Sequence, residues 1–171
     1  MQRFNFLLII GLIILLSSCS KEVKKESIII EKKLGSQAIE AFNEGKKALE
    51  EGDSLFAAKK FNEVEILFPQ SDLAPRSLLM AAYAYYFQDY YQDAVAELQR
   101  FLRVYPLHEN IDYAYYLLAI SYYEQIVDEK KDLQSIINAK ENFDIVIKKF
   151  PDTDYALDAK FKIGLINDIL A

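Results

Sequence analysis

The chain contains one cysteine and one histidine, so two of the side chains most often recruited as nucleophile, base or metal ligand occur once each. A Ser-His-Asp arrangement or a metal site would have to be assembled around His108. That residue lies just after Pro106, where a turn or an N-terminal cap is its ordinary role. Glycines never cluster into a phosphate-binding loop. The acidic residues are scattered along helical segments at solvated spacings. The expectation is therefore no catalytic residue, no metal and no cofactor. Cys19 offers a different chemistry. Arg3 gives a positive start, and Phe6 to Leu16 (FLLIIGLIILL) is an apolar run of signal-peptide length, too short to span a bilayer comfortably. The run ends in Leu16-Ser17-Ser18-Cys19. A small residue and then a cysteine, directly after an apolar run, resembles the bacterial lipobox, in which the thiol is acylated and the cysteine becomes the first mature residue. Each buried methylene of such an anchor contributes roughly 0.8 kcal/mol. With a single cysteine, no intrachain disulfide can form.

At 171 residues there is room for one domain, and a hydrophobic fraction of 52% suffices for a packed core. A formal charge of −6 argues against nucleic acid, which needs a basic footprint. Between Ser36 and Ala171 helix formers dominate and no stretch sustains an alternating strand pattern. The chain divides into a signal peptide (1–18), a lipidated cysteine with a flexible, charged tether (19–35) and an all-α part (36–171). Ser20, where an inner-membrane retention signal would place Asp, favours the outer membrane.

The all-α part is repetitive. Prolines follow an aromatic residue at Phe68-Pro69, Tyr105-Pro106 and Phe150-Pro151, and the first two are 37 residues apart. The same step carries Gly45 to Ala82 to Ala119, and Ala57 to Ala94. Small residues at a fixed step let two helices of a hairpin approach closely and let the next hairpin stack in the same way. Each unit reads as helix A, a short turn, helix B and a terminating proline. Ala57, Phe61 and Val64 share one face of the first helix B, with Ala94, Leu98 and Phe101, then Ala139, Phe143 and Val146, in the later ones. The third unit carries an insertion between its helices, near Val127 to Ile136, expected as a solvated loop or a helix extension. The repeats run about 36–72, 73–109, 110–153 and a partial 154–171. Ile163, Leu165, Ile166 and Ile169 make the last helix apolar for a free cap, which points to further repeats. The pattern resembles the tetratricopeptide repeat (TPR), whose usual length is about 34, so the fold expected is an all-α, TPR-like solenoid of about three and a half repeats.

In a TPR stack the A helices line one face. Projected onto it, the first offers Ile39, Phe42, Lys46 and Leu49. The second offers Arg76, Leu79, Tyr83 and Tyr86, the third Tyr113, Tyr116, Ile120 and Tyr123, and the fourth Phe161 and Leu165. Tyrosine combines contact area with a water-tolerant hydroxyl, which suits a groove for an extended peptide or a partner helix. The alternative is that these rings only pack between neighbouring hairpins. The candidate groove is Phe42, Arg76, Leu79, Tyr83, Tyr86, Tyr113, Tyr116 and Tyr123.

Residues 100–117 (RFLRVYPLHENIDYAYYL) and 150–159 (FPDTDYALDA), the latter echoed by FPQSDLAPRS at 68–77, together with the lipobox, resemble the BamD family of lipoproteins. The residues most specific to the match are His108, Asn110, Ile111, Asp112, Tyr113 and Tyr116, and Asp132, Gln134 and Ala139 fit the family's third repeat. The resemblance implies a scaffold, not an enzyme, lipid-anchored at the periplasmic face of the outer membrane. Its implied partners are a POTRA-containing outer-membrane barrel-assembly subunit, accessory lipoproteins and unfolded outer-membrane protein clients whose targeting segments end in an aromatic residue. A periplasmic TPR adaptor of cell division or pilus assembly would share the proline-flanked motifs but not the stretch from His108 to Tyr116. A peptidoglycan-linked enzyme or its accessory would need a catalytic cluster outside these residues.

Overall fold

The structure, a computed structural model, describes residues 23–126 and 133–170, with side-chain surroundings from residue 33 onward. Cys19, the apolar run before it and the first part of the expected insertion lie outside the described residues. The chain divides into two units, 1–36 and 37–171. All seven regular elements among the described residues are helices: α1 (Val23–Glu50), α2 (Ser54–Leu67), α3 (Leu73–Phe87), α4 (Tyr91–Val104), α5 (Ile111–Glu124), α6 (Leu133–Lys149) and α7 (Asp154–Leu170). None of these is long and apolar enough to cross a membrane.

One boundary differs from the sequence expectation, and another settles between two alternatives it left open. The first helix begins at Val23, inside the stretch read as a tether, instead of at Ser36. Lys, Glu and Leu in that stretch are good helix formers, so its charge does not keep it from being helical. The other boundary concerns the insertion in the third unit. From Leu133 its residues are helical, and Ser135 and Ile136 are buried, so this part extends helix B.

Within residues 37–171 the helices follow a hairpin order, A then B, in which each packs on the next and α5 also touches α3 and α7. The three aromatic-proline steps end α2, α4 and α6 in the same way. Proline disfavours the helical conformation of the residue before it. Phe68, Tyr105 and Phe150 therefore close their helices, each donating its N–H back to the fourth carbonyl before it, at Val64, Phe101 and Val146. The following turns are also alike, with Ser71, His108 and Thr153 donating to the carbonyls of Phe68, Tyr105 and Phe150. At the other hairpin end Gly52 takes a positive φ of 85° and Asp53 caps α2, its carboxylate accepting from the Phe56 N–H at 3.1 Å. In the next hairpin Asp89, 37 residues on, takes that left-handed place with φ 61°.

The B-helix faces are the core. Ala57, Phe61, Val64, Ala94, Leu98, Phe101, Ala139, Phe143 and Val146 are all fully buried. Each large member contributes about 1.5–3 kcal/mol by leaving water. Opposite them stand the small residues of the A helices. A Cβ added at Gly45 would lie 2.9 Å from two carbons of the Phe61 ring, so the first A helix can seat only glycine there. Ala82 and Ala119 hold the same register and are fully buried. Adjacent B helices are clasped by charge. Arg100 of α4 pairs with Glu65 of α2 and with Glu97 of its own helix, and Asn62 donates to Glu97 at 2.9 Å.

The two glycines that share this register should respond oppositely to alanine. Phe61 is fully buried and cannot give way, so Gly45→Ala is expected to destabilise by roughly 1–2 kcal/mol, overpacking outweighing the helix-propensity gain. Gly164, with nothing within 4 Å of its added Cβ, should gain up to about 1 kcal/mol as alanine. Thermal melts followed by circular dichroism would check both, and a Gly45→Ala melt at or above that of the parent would refute the close-approach argument.

Candidate functional site

The A helices carry an aromatic face, and its members divide into two groups. The first surrounds a pocket of about 700 Å³ between α3 and the amino end of α5. Arg76, Leu79, Tyr83 and Tyr113 line it, as do His108 and Asn110 from the turn before α5. Four of the eight residues expected to form a groove are thus brought together, along with the motif residues His108 and Asn110. The turn that presents His108 follows directly from Pro106. The His108 Nδ1 accepts the Asn110 N–H at 3.1 Å, and the imidazole stands edge-on to Phe101 with ring centroids 5.3 Å apart. A neutral His108 therefore carries its proton on Nε2. The motif residues Ile111, Asp112 and Tyr116 do not line the pocket. Ile111 packs on the core, and Asp112 accepts its neighbour Tyr113's N–H at 2.8 Å in the first turn of α5.

The second group is already engaged within the fold. Tyr116 stacks on Tyr155 with centroids 5.1 Å apart and donates its hydroxyl to Asp158 at 2.8 Å, both partners belonging to α7. Tyr123 stands edge-on to Phe143, with the Lys162 ammonium 4.6 Å above its ring. Tyr86 lies against Tyr91, centroids 5.8 Å apart. Phe42 is buried, edge-on to Phe61, and the Arg76 guanidinium lies 5.5 Å from its ring centroid. Of the other residues projected onto this face, Ile39 and Phe161 are exposed and Ile120 is buried.

Four pocket residues were not foreseen: Asp72, Leu73, Met80 and Glu109. The repeat step could have found two of them, since Asp72 and Glu109 are 37 residues apart and flank the start of equivalent helices. No group of His, Cys, Asp or Glu among the described residues is placed to hold a metal ion.

The tyrosines of this face are held as neutral phenols. Burial is the main cause for Tyr113, pushed well above the ordinary phenol value, and for Tyr116, where the bond to Asp158 adds to it. Burial likewise raises Tyr86 and Tyr123. Such groups act as hydrogen-bond donors and contact surface, not as bases.

Paired helices in A–B order, proline-terminated, with an open recess between neighbouring A helices, define a TPR-type repeat protein. Solved structures agree on the fold. The Arabidopsis OM64 TPR domain superposes with a TM-score of 0.61 at 12% identity, covering 79% of this chain and 98% of that one. The first TPR of Spaghetti (RPAP3), solved bound to the HSP90 peptide SRMEEVD, gives 0.60 at 17% identity, covering 80% and 94%. Residues 35–171 match the family YfiO, described as outer membrane lipoprotein, and the chain belongs to that family. Among curated relatives, outer membrane protein assembly factor BamD of Caulobacter vibrioides is 35% identical over 91% of this chain and 50% of its own length. The BamD of Rickettsia prowazekii is 37% identical over 99% of this chain and 64% of its own. The chain thus spans between half and two thirds of the relatives it matches.

These phenols also predict an alkaline limit. A group whose value is raised by folding holds its proton more tightly folded than unfolded, so its contribution is complete below about pH 10 and is lost as pH climbs through the folded value. With Tyr86, Tyr113, Tyr116 and Tyr123 all raised, helicity should fall above about pH 10 in step with a late, cooperative rise of phenolate absorbance. Ordinary, independent phenol titration with helicity retained would contradict this packing.

Proposed function

We propose that the chain is a non-enzymatic scaffold of outer-membrane protein assembly whose recess between α3 and α5 receives an extended, aromatic-ended segment of an unfolded β-barrel precursor. The observation that carries this reading is the pocket itself. It is lined by Leu79, Tyr83 and Tyr113 beside Arg76, in a chain that belongs to an outer membrane lipoprotein family and whose relatives are outer membrane protein assembly factors. Its volume of about 700 Å³ is in the range of sites that hold a few residues of peptide. Aromatic walls with polar tips supply contact area without demanding one sequence. We further propose that Cys19 is acylated and holds the scaffold at the periplasmic face of the outer membrane. There a POTRA-containing barrel subunit and accessory lipoproteins would be its partners. The grouping of the tyrosines supports a division of labour, in which Tyr83 meets the client, Tyr116 and Tyr123 hold α5 to α6 and α7, and Tyr113 does both, lining the pocket while its ring lies 5.6 Å from that of Tyr155.

Binding of a fluorescent peptide ending in phenylalanine, followed by anisotropy with the full chain, tests the pocket. Tyr83→Ala should weaken it about tenfold, the loss of one well-packed aromatic anchor. Tyr123→Phe, which keeps the ring on Phe143, should leave affinity unchanged. Equal affinity for the parent and Tyr83→Ala would exclude this pocket as the client site.

A further inference from the structure

The turn that opens each later A helix is built around one side chain, and that side chain changes its chemistry from repeat to repeat. Ser71, His108 and Thr153 hold the same place, two residues after Pro69, Pro106 and Pro151. Each donates its N–H to the carbonyl of the aromatic residue before the proline. Each also accepts a backbone amide on its side chain. Ser71 Oγ takes the Leu73 N–H at 3.2 Å, Thr153 Oγ1 the Ala156 N–H at 3.2 Å, and His108 Nδ1 the Asn110 N–H at 3.1 Å. The first and last of these are the same bond, 37 residues apart. A hydroxyl keeps its acceptor lone pairs across the physiological pH range. An imidazole does not, because histidine takes up a proton between about pH 8 and pH 5, and the charged ring has two donors and no acceptor. A proton on His108 Nδ1 would face the Asn110 N–H, donor against donor.

We propose that His108 is a proton-operated positioning residue for the recess between α3 and α5, which clasps the turn forming its wall when neutral and releases it when charged. The ring stands at a boundary. On one side it is edge-on to Phe101, which is fully buried, and on the other it lines the recess. It is half-buried, so a proton from solvent can reach it. The groups that share the recess are Asp72, Arg76 and Tyr83 from the start and body of α3, Glu109 in its own turn, and Tyr113 on α5. From α4 its neighbours are Phe101 and Tyr105, whose carbonyl accepts the His108 N–H. Asp112 spends a carboxylate oxygen on the Tyr113 N–H. Two carboxylates against one guanidinium leave the recess with a negative surplus, which draws a charged ring outward. The neutral ring has its bond at Asn110 and the charged ring has its partners in the recess, so one proton separates two positions. The effect reaches α5 through Asn110, whose carbonyl accepts the Ala114 N–H in the helix's first turn. Tyr113 enters the recess from that same turn. The clasp acts on the recess whatever ligand occupies it.

Two-dimensional NMR of the isotope-labelled full chain, titrated from about pH 8 to about pH 5, reads the clasp directly. The Asn110 amide proton should shift upfield, as an amide does on losing its acceptor, with the same midpoint as the His108 ring carbons. The Tyr113 ring signals should move in the same step. The Leu73 and Ala156 amides, held by hydroxyls, should stay still in the same titration. His108→Ser installs the hydroxyl that the equivalent turn carries at Ser71, so there the Asn110 amide should keep its bonded position throughout and the shift should vanish. An Asn110 amide that stays in place while the His108 ring titrates would overturn the clasp, and this is read on the parent chain alone. A shift that survives in His108→Ser would assign the proton to a carboxylate of the recess and overturn it equally. Tyr113 signals that stay still while the Asn110 amide moves would overturn the control of the recess.

Discussion

Each hairpin of this chain depends on one close approach, a small residue on helix A facing a large one on helix B. Gly45 against Phe61 is the tightest instance, where even a methyl group would fall inside contact distance of the ring. Ala82 with Leu98, and Ala119 with Phe143, occupy the same register in the second and third hairpins and share one buried cluster. The helices can close on one another only because half of each pair is almost absent. That closeness sets where the A helices stand, and hence the width of the gap between α3 and α5. A larger residue at any of these positions would strain its own hairpin and also shift the walls of the pocket.

The same constraint explains why the A-helix face is divided. Where an A helix is followed by another that packs on it, its outward tyrosines find partners. Tyr116 reaches Tyr155 and Asp158, and Tyr123 lies between Phe143 and Lys162. Where the turn before the next A helix stands away from its neighbour, as His108 to Asn110 do from α3, space is left open. Identical chemistry, a tyrosine on helix A, thus serves cohesion at one step and surface at the next. The difference lies in what the next unit presents, not in the tyrosine.

That distinction marks the limit of what the residues alone convey. Helix ends were legible because proline acts locally: Phe68, Tyr105 and Phe150 end their helices for a reason contained in two residues. The buried faces were legible because the small and large residues recur at one step. The start of α1 was not, since charge signals solvation without excluding helix. The candidate groove was legible as a face but not as a site. Projection onto helix A places Phe42, Tyr83 and Tyr116 alike, and only the neighbouring helices decide that Phe42 is buried, Tyr116 engaged and Tyr83 open. Asp72 and Glu109 went unnoticed because a single acidic residue at a helix start is an ordinary cap. Their meaning comes from lining one pocket together with Arg76.

The electrostatics of the face then follow from burial. Burial raises the Tyr113 and Tyr116 phenols above their ordinary value, which favours their neutral form. Charge in the pocket comes from Arg76, Asp72 and Glu109, while shape comes from Leu79 and the rings around it. These two terms differ in reach. The apolar wall acts on contact, and the guanidinium acts over several ångströms before contact is made.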